Sequence, residues 1–165
     1  MPDAAALESL AAELRAKLGD DAVVAATYHL EQACIEIAPG KVFETLEYLK
    51  AAPGHEYNFL CSVHGCDYLP EAPRLGVHYE LLNMRRVERL RIKTRVDFDA
   101  AEVRSVIDLF PTADFQEREV YDMFGIRFDG HPSLQRTLCH HEFVGHPPRH
   151  DSDRTRGQWR SRAES

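Results

Sequence analysis

Residues 88–96 (ERLRIKTRV) alternate without interruption. Leu90, Ile92, Thr94 and Val96 take one side of an extended chain, and Arg89, Arg91, Lys93 and Arg95 take the other. The run before it, residues 75–84 (LGVHYELLNM), is the other arm of a hairpin across Arg85, Arg86 and Val87. Strands with one basic or polar face imply a sheet that helices cover on one side only.

The rest of the chain fits that constraint. Residues 3–18 read as a helix, with Asp3 as N-cap, a stripe of Leu7, Leu10, Leu14 and Leu18, and Gly19 as the stop. Residues 22–28 and 33–38 read as two strands, and residues 41–51 as a helix with Val42, Leu46 and Leu49 inward. Pro53-Gly54 ends that helix, and residues 57–64 form the next strand. Residues 100–110 read as a weak helix, and Pro111 fits the start of another that runs to Phe124. The order predicts an α+β fold in two layers: a mixed β-sheet with helices on one face over residues 1–130. Residues 131–165 read as an extended polar C-terminal tail, ordered on a partner.

Charge narrows the partners. The formal net charge of −7 argues against nucleic acid. It is uneven: residues 145–165 hold five arginines against three acidic residues, so the body is acidic and the tail basic. The basic face at residues 89–95 is either solvated or set against an acidic neighbour. No stretch of about 18 apolar residues is present, so any membrane contact runs through other subunits. The N-terminus, with Asp3, Glu8 and Glu13, has neither a secretory nor a transit pattern. Of the four cysteines, Cys61 and Cys66 bracket His64, but the close third cysteine of a ferredoxin-type site is missing. The expectation is free thiols and no metal ligands at Cys34, Cys61, Cys66 and Cys139.

The densest chemistry lies in residues 115–138 (FQEREVYDMFGIRFDGHPSLQRTL). Glu117, Arg118 and Glu119 are consecutive, and Arg118 can meet Asp122 one turn on, an ion pair worth ~0.3–0.5 kcal/mol if exposed. Adjacent helix positions point about 100° apart, so Glu117 and Glu119 do not converge on one substrate atom. Gly125 suits a helix C-cap, and Gly130-His131-Pro132 a sharp turn. The turn needs glycine and proline but not His131, which can hydrogen-bond structurally or at an interface. His146 and His150 are separated by Pro147-Pro148, which forbids the helix that would converge them on a metal. Neither a GxGxxG nor a P-loop is present.

This order of residues closely resembles one family, the 30 kDa subunit (the C-type component) of respiratory complex I, the NADH–quinone oxidoreductase. The shared pattern is Glu117-Arg118-Glu119, Tyr121, Asp122, Met123, Phe124, Gly125, then Gly130-His131-Pro132 and Arg136. Asn58-Phe59-Leu60, Asp67-Tyr68 and Pro111 to Asp114 also fall in family-like order. Departures lie downstream: Thr137 where the family often has Ile, Phe143 for a Trp, and Pro148, His150 and Ser152 for Leu, Lys and an aromatic. The resemblance implies a non-catalytic subunit of the peripheral arm, on the cytoplasmic side of a bacterial plasma membrane. It implies no cofactor in this chain, with NADH, FMN, iron–sulfur clusters and quinone held by partner subunits. The implied neighbour is chiefly the large 49 kDa (D-type) hydrogenase-like subunit, near the quinone site. Glu117, Arg118, Glu119, Tyr121, Asp122, Phe124, Gly125, Gly130, His131, Pro132 and Arg136 are then candidate interface residues. Two alternatives stay open: an equivalent subunit of a membrane-bound hydrogenase or non-NADH dehydrogenase, and a stand-alone enzyme using the carboxylates and histidines.

Overall fold

The alternating segment is a strand, and its two faces organise the molecule. The computed structural model describes residues 3–139 and 145–149. In chain order the elements are α1 (Ala4–Leu18), β1 (Val23–His29), β2 (Gln32–Ile37), α2 (Val42–Ala51), β3 (Phe59–Asp67), β4 (Leu75–Asn83), β5 (Glu88–Val96), β6 (Glu102–Arg104), α3 (Ala113–Phe124) and β7 (Arg127–Asp129). The main sheet has the order β1-β2-β5-β4-β3. All its pairings are antiparallel except β2 with β5, which α2 and the β3–β4 hairpin separate in sequence.

One register row shows the covered face. Ile35 lies opposite Ile92, Ile92 opposite Tyr79, and Tyr79 opposite Val63, and all four are buried. α1 packs beside β1 and β2, and α3 beside β3. Two residues beyond Val63, Gly65 leaves room for α3: a Cβ there would sit 2.3 Å from the Phe124 ring. The leucine stripe of α1 is buried through Leu7, Leu10 and Leu14. Asp3 caps the helix by accepting from the Ala6 amide at 2.8 Å.

The next row along carries the other face: Glu36 opposite Lys93, Lys93 opposite His78, His78 opposite His64. The basic ladder of β5 is largely neutralised within the chain. Lys93 pairs with Glu36 at 2.6 Å, Arg91 with Glu80, and Arg95 with Glu71 at 3.3 Å. The first two are cross-strand register partners, which stabilise the sheet locally, and the third ties β5 to the loop between β3 and β4.

The weak helix expected over residues 100–110 does not form. A short 3-10 turn, Phe98–Ala100, leads into β6, which pairs in parallel with β7 through Val103 and Phe128. Val103, Val106 and Phe110 are all buried, and their spacing is what imitates a helix face. Pairing with β7 gives the backbone an alternative set of hydrogen bonds, which tertiary context makes the better one.

Candidate functional site

α3 begins after Thr112 and ends at Gly125, whose φ of +79° is the left-handed conformation that glycine adopts without a Cβ penalty. Its inward face is built from Ala113, Glu117 and Val120. Glu117 is fully buried. It accepts from the Ser105 hydroxyl at 2.5 Å and the Val106 amide at 2.8 Å, and so pins the turn after β6 to the helix. Burial pushes its pKa up to about 7, against the opposing pull of those two bonds. Gln116 reaches the other way and accepts from the Val63 amide, beside the irregularity in the β3 ladder between Leu60 and Ser62.

Asp122 is also fully buried, and the expected ion pair with Arg118 is not what holds it. One carboxylate oxygen accepts from three successive backbone amides: Thr137 at 3.0 Å, Leu138 at 2.8 Å and Cys139 at 2.8 Å. The other oxygen lies 3.5 Å from the Arg136 guanidinium. Burial alone would raise this carboxyl, but the three amides outweigh it and hold the pKa low. Three converging donors are a better partner than one mobile guanidinium, so Arg118 is left to donate to the Gln135 carbonyl at 3.2 Å and to lie over the Phe115 ring.

The Gly130-His131-Pro132 turn is tied to the start of the same helix. The His131 side chain is buried, with Nε2 3.2 Å from the Asp114 carbonyl and 3.3 Å from its carboxylate. Nδ1 accepts from the Ser133 amide at 3.1 Å, so the proton sits on Nε2. At the other end, His146 Nδ1 donates to the Asp122 carbonyl at 2.9 Å. Its ring covers Gly125, where a Cβ would lie 2.7 Å from Nε2. Arg136 donates to the Gly145 carbonyl at 3.0 Å. Residues 133–139 and 145–149 therefore run along the chain's own helix, while residues 140–144 and the tail from 150 onward lie outside the described residues.

Of the candidate interface residues, Glu117, Asp122 and the His131 side chain are turned inward. Tyr121 and Phe124 are half-buried against the core, and Gly125 lies beneath His146. Arg136 bridges α3 to Gly145. Glu119, Gly130 and Pro132 are exposed, with Arg118 partly so. Sequence reasoning missed two residues on the outer side: Phe115, 68% exposed on α3 itself, and Leu138, 64% exposed on the segment alongside. A charged face with two apolar side chains standing out of it suits protein contact better than acid–base chemistry. Its carboxylates do not converge, and the one with a raised pKa is inside.

The chain matches the family model described as the respiratory-chain NADH dehydrogenase, 30 Kd subunit, over residues 35–158. It is 45% identical over 111 residues to the C-type component of the NADH-quinone oxidoreductase of Saccharopolyspora erythraea, covering 67% of this chain and 45% of that protein. It is 45% identical over 98 residues to the combined C/D component of the same enzyme in Bdellovibrio bacteriovorus, covering 59% of this chain and 17% of that protein. The chain thus spans less than half the length of these curated relatives. Among solved structures, the trypsin-resistant fragment (1–134) of Nqo5 superposes with a TM-score of 0.64 at 32% identity, covering 78% of this chain and 98% of the fragment.

Proposed function

This chain belongs to the 30 kDa-subunit family of the respiratory-chain NADH dehydrogenase, and from that premise we propose that it is a peripheral-arm subunit of a proton-pumping NADH:quinone oxidoreductase. Its task is scaffolding. The outer face of α3, with Phe115, Arg118, Glu119 and the adjacent Leu138, docks on a neighbouring subunit of the same enzyme. The internal bonds of Glu117, Asp122 and His131 hold that face rigid. NADH, FMN, the iron–sulfur clusters and quinone belong to partner subunits. The observation that carries this reading is the engagement of the motif's buried acids and histidine within the chain, which leaves a preorganised contact surface outside.

The neighbour we infer is the large 49 kDa, hydrogenase-like subunit (the D-type component), near the quinone site. A relative whose name joins the C and D components supports that pairing. The enzyme then lies on the cytoplasmic side of a bacterial plasma membrane. No described helix of this chain is long and apolar enough to cross a membrane, which fits attachment through other subunits. The equivalent subunit of a membrane-bound hydrogenase or a non-NADH dehydrogenase is the second reading, and the names of the relatives favour the first.

The test is the double variant Phe115→Glu, Leu138→Glu in a strain that lacks the native chain. Both residues are exposed, so the stability of the purified subunit should change by no more than about 0.5 kcal/mol per site. Membrane NADH:quinone activity and assembly should fall sharply. Full activity with both substitutions in place would remove this face from the contact.

A further inference from the structure

The sheet face turned away from the helices carries a cluster that the sequence spacing conceals. His64 and His78 are register partners on β3 and β4. Cys66 stands two residues beyond His64, on the same face, opposite Gly76. One ligand atom each from His64, Cys66 and His78 lie within 4.8 Å of one another, and the two imidazole centroids are 5.0 Å apart. We propose that His64, Cys66 and His78 form a binding site for a borderline-soft divalent cation of the zinc type.

Three observations make this a built site. First, His78 is 7% exposed, yet among the described residues its Nδ1 is buried without a hydrogen-bond partner. An orphaned buried nitrogen is costly, and a metal would satisfy it. Second, the Tyr68 hydroxyl lies 2.7 Å from His78 Nε2. When that nitrogen donates to Tyr68, Nδ1 carries the ring's free lone pair, the usual arrangement behind a metal-bound imidazole. Third, Gly76 makes room for that tyrosine, since a Cβ there would lie 2.7 Å from the Tyr68 ring.

Two nitrogens and one thiolate exclude magnesium and calcium, which take oxygen ligands, and suit zinc-type ions. Tetrahedral coordination at about 2.0–2.3 Å needs the ligand atoms to close by up to about 1.5 Å and leaves a fourth position for water or a partner's side chain. Binding forms an S–metal bond, and the Cys66 thiol proton leaves to solvent. Arg91 and Lys93 stand nearby, but Glu80 and Glu36 already balance them. Cys61, exposed at the ladder irregularity, is outside the cluster. All four cysteines are free thiols, as expected, and the ligand role given to Cys66 rests on a juxtaposition that only the strand register supplies.

Cobalt(II) titration of the full 165-residue chain, reduced and stripped of metal, tests the site. The expected result is one cobalt per chain with tetrahedral visible bands and a near-ultraviolet thiolate charge-transfer band. Cys66→Ser should abolish the charge-transfer band and Cys61→Ser should keep it. Tyr68→Phe should weaken binding by about 10–100-fold. Should Cys66→Ser not fold, His64→Gln, at the more exposed histidine, carries the test through loss of affinity. Absence of cobalt binding overturns the proposal. So does a thiolate band that survives Cys66→Ser or follows Cys34 or Cys139 instead.

Discussion

Replacing Asp122 by alanine should release the segment that follows β7 without unfolding the sheet. The wild-type carboxylate holds the amides of Thr137, Leu138 and Cys139 through one oxygen. A single hydrogen bond to a charged acceptor contributes about 1.5–3 kcal/mol. Three donors sharing one oxygen do not add fully, and Thr137 and Leu138 are exposed enough to regain water. The net loss is then about 2–4 kcal/mol, or about 30- to 700-fold in the local opening constant. Amide hydrogen exchange reads this directly. Protection at residues 137–139 should fall by that factor, while the amides of Tyr79 and Ile92 in the buried row stay as they are. Asp122→Asn keeps an acceptor without the charge and should fall between. Acid should reproduce the effect: a carboxyl held low contributes in full above the ordinary aspartate range and loses its contribution as pH falls through the folded value, so protection should begin to fail below pH ~4. Unchanged exchange at these three amides in Asp122→Ala would show that the carboxylate does not hold the segment.

Glu117 carries the opposite sign. Its folded pKa is raised to about 7, so the buried carboxyl costs stability increasingly as pH rises from the ordinary glutamate range towards 7. Glu117→Gln should flatten that slope, seen as urea midpoints that no longer fall between pH 5 and 7. At the helix end, Gly125 and Gly130 share a φ of +79°, but only Gly125 lies under His146. Alanine at Gly130 should cost about 1 kcal/mol from backbone strain alone. Alanine at Gly125 should cost about 0.5–1.5 kcal/mol more, as the His146 bond to Asp122 is displaced. That surplus should vanish in a His146→Ala background, by urea denaturation of all four variants.

What could be read from sequence was whatever depends on local period and capping. The β5 alternation, the α1 leucine stripe with its Asp3 cap, and the Gly125 stop of α3 each follow from neighbours a few residues apart. The failures share one cause: contacts made at long sequence separation. Residues 100–110 have helix-like apolar spacing, but β7 lies far enough downstream that its pairing with Val103 has no local signal. Arg118 looked like the partner of Asp122 because it is one turn away, whereas the amides that win are 15–17 residues on. The buried state of Glu117 depends on Ser105, which no motif marked. The adjacency of His64 and His78 likewise comes from the β3–β4 register, which cysteine spacing does not mark. The exposure of Phe115 and Leu138 was equally hidden, since an apolar residue gives no sign in sequence of facing outward.

Affinity capture of the tagged full chain from gently solubilised membranes, with mass spectrometry of every co-purifying protein, tests whether the chain is a scaffold within the respiratory enzyme. A scaffold of this kind should bring down a large hydrogenase-like subunit together with NADH- and flavin-binding subunits, all lost with the Phe115→Glu, Leu138→Glu variant. Recovery of the chain alone would contradict the scaffold, and recovery of the large subunit without the NADH module would contradict the assignment to an NADH:quinone oxidoreductase.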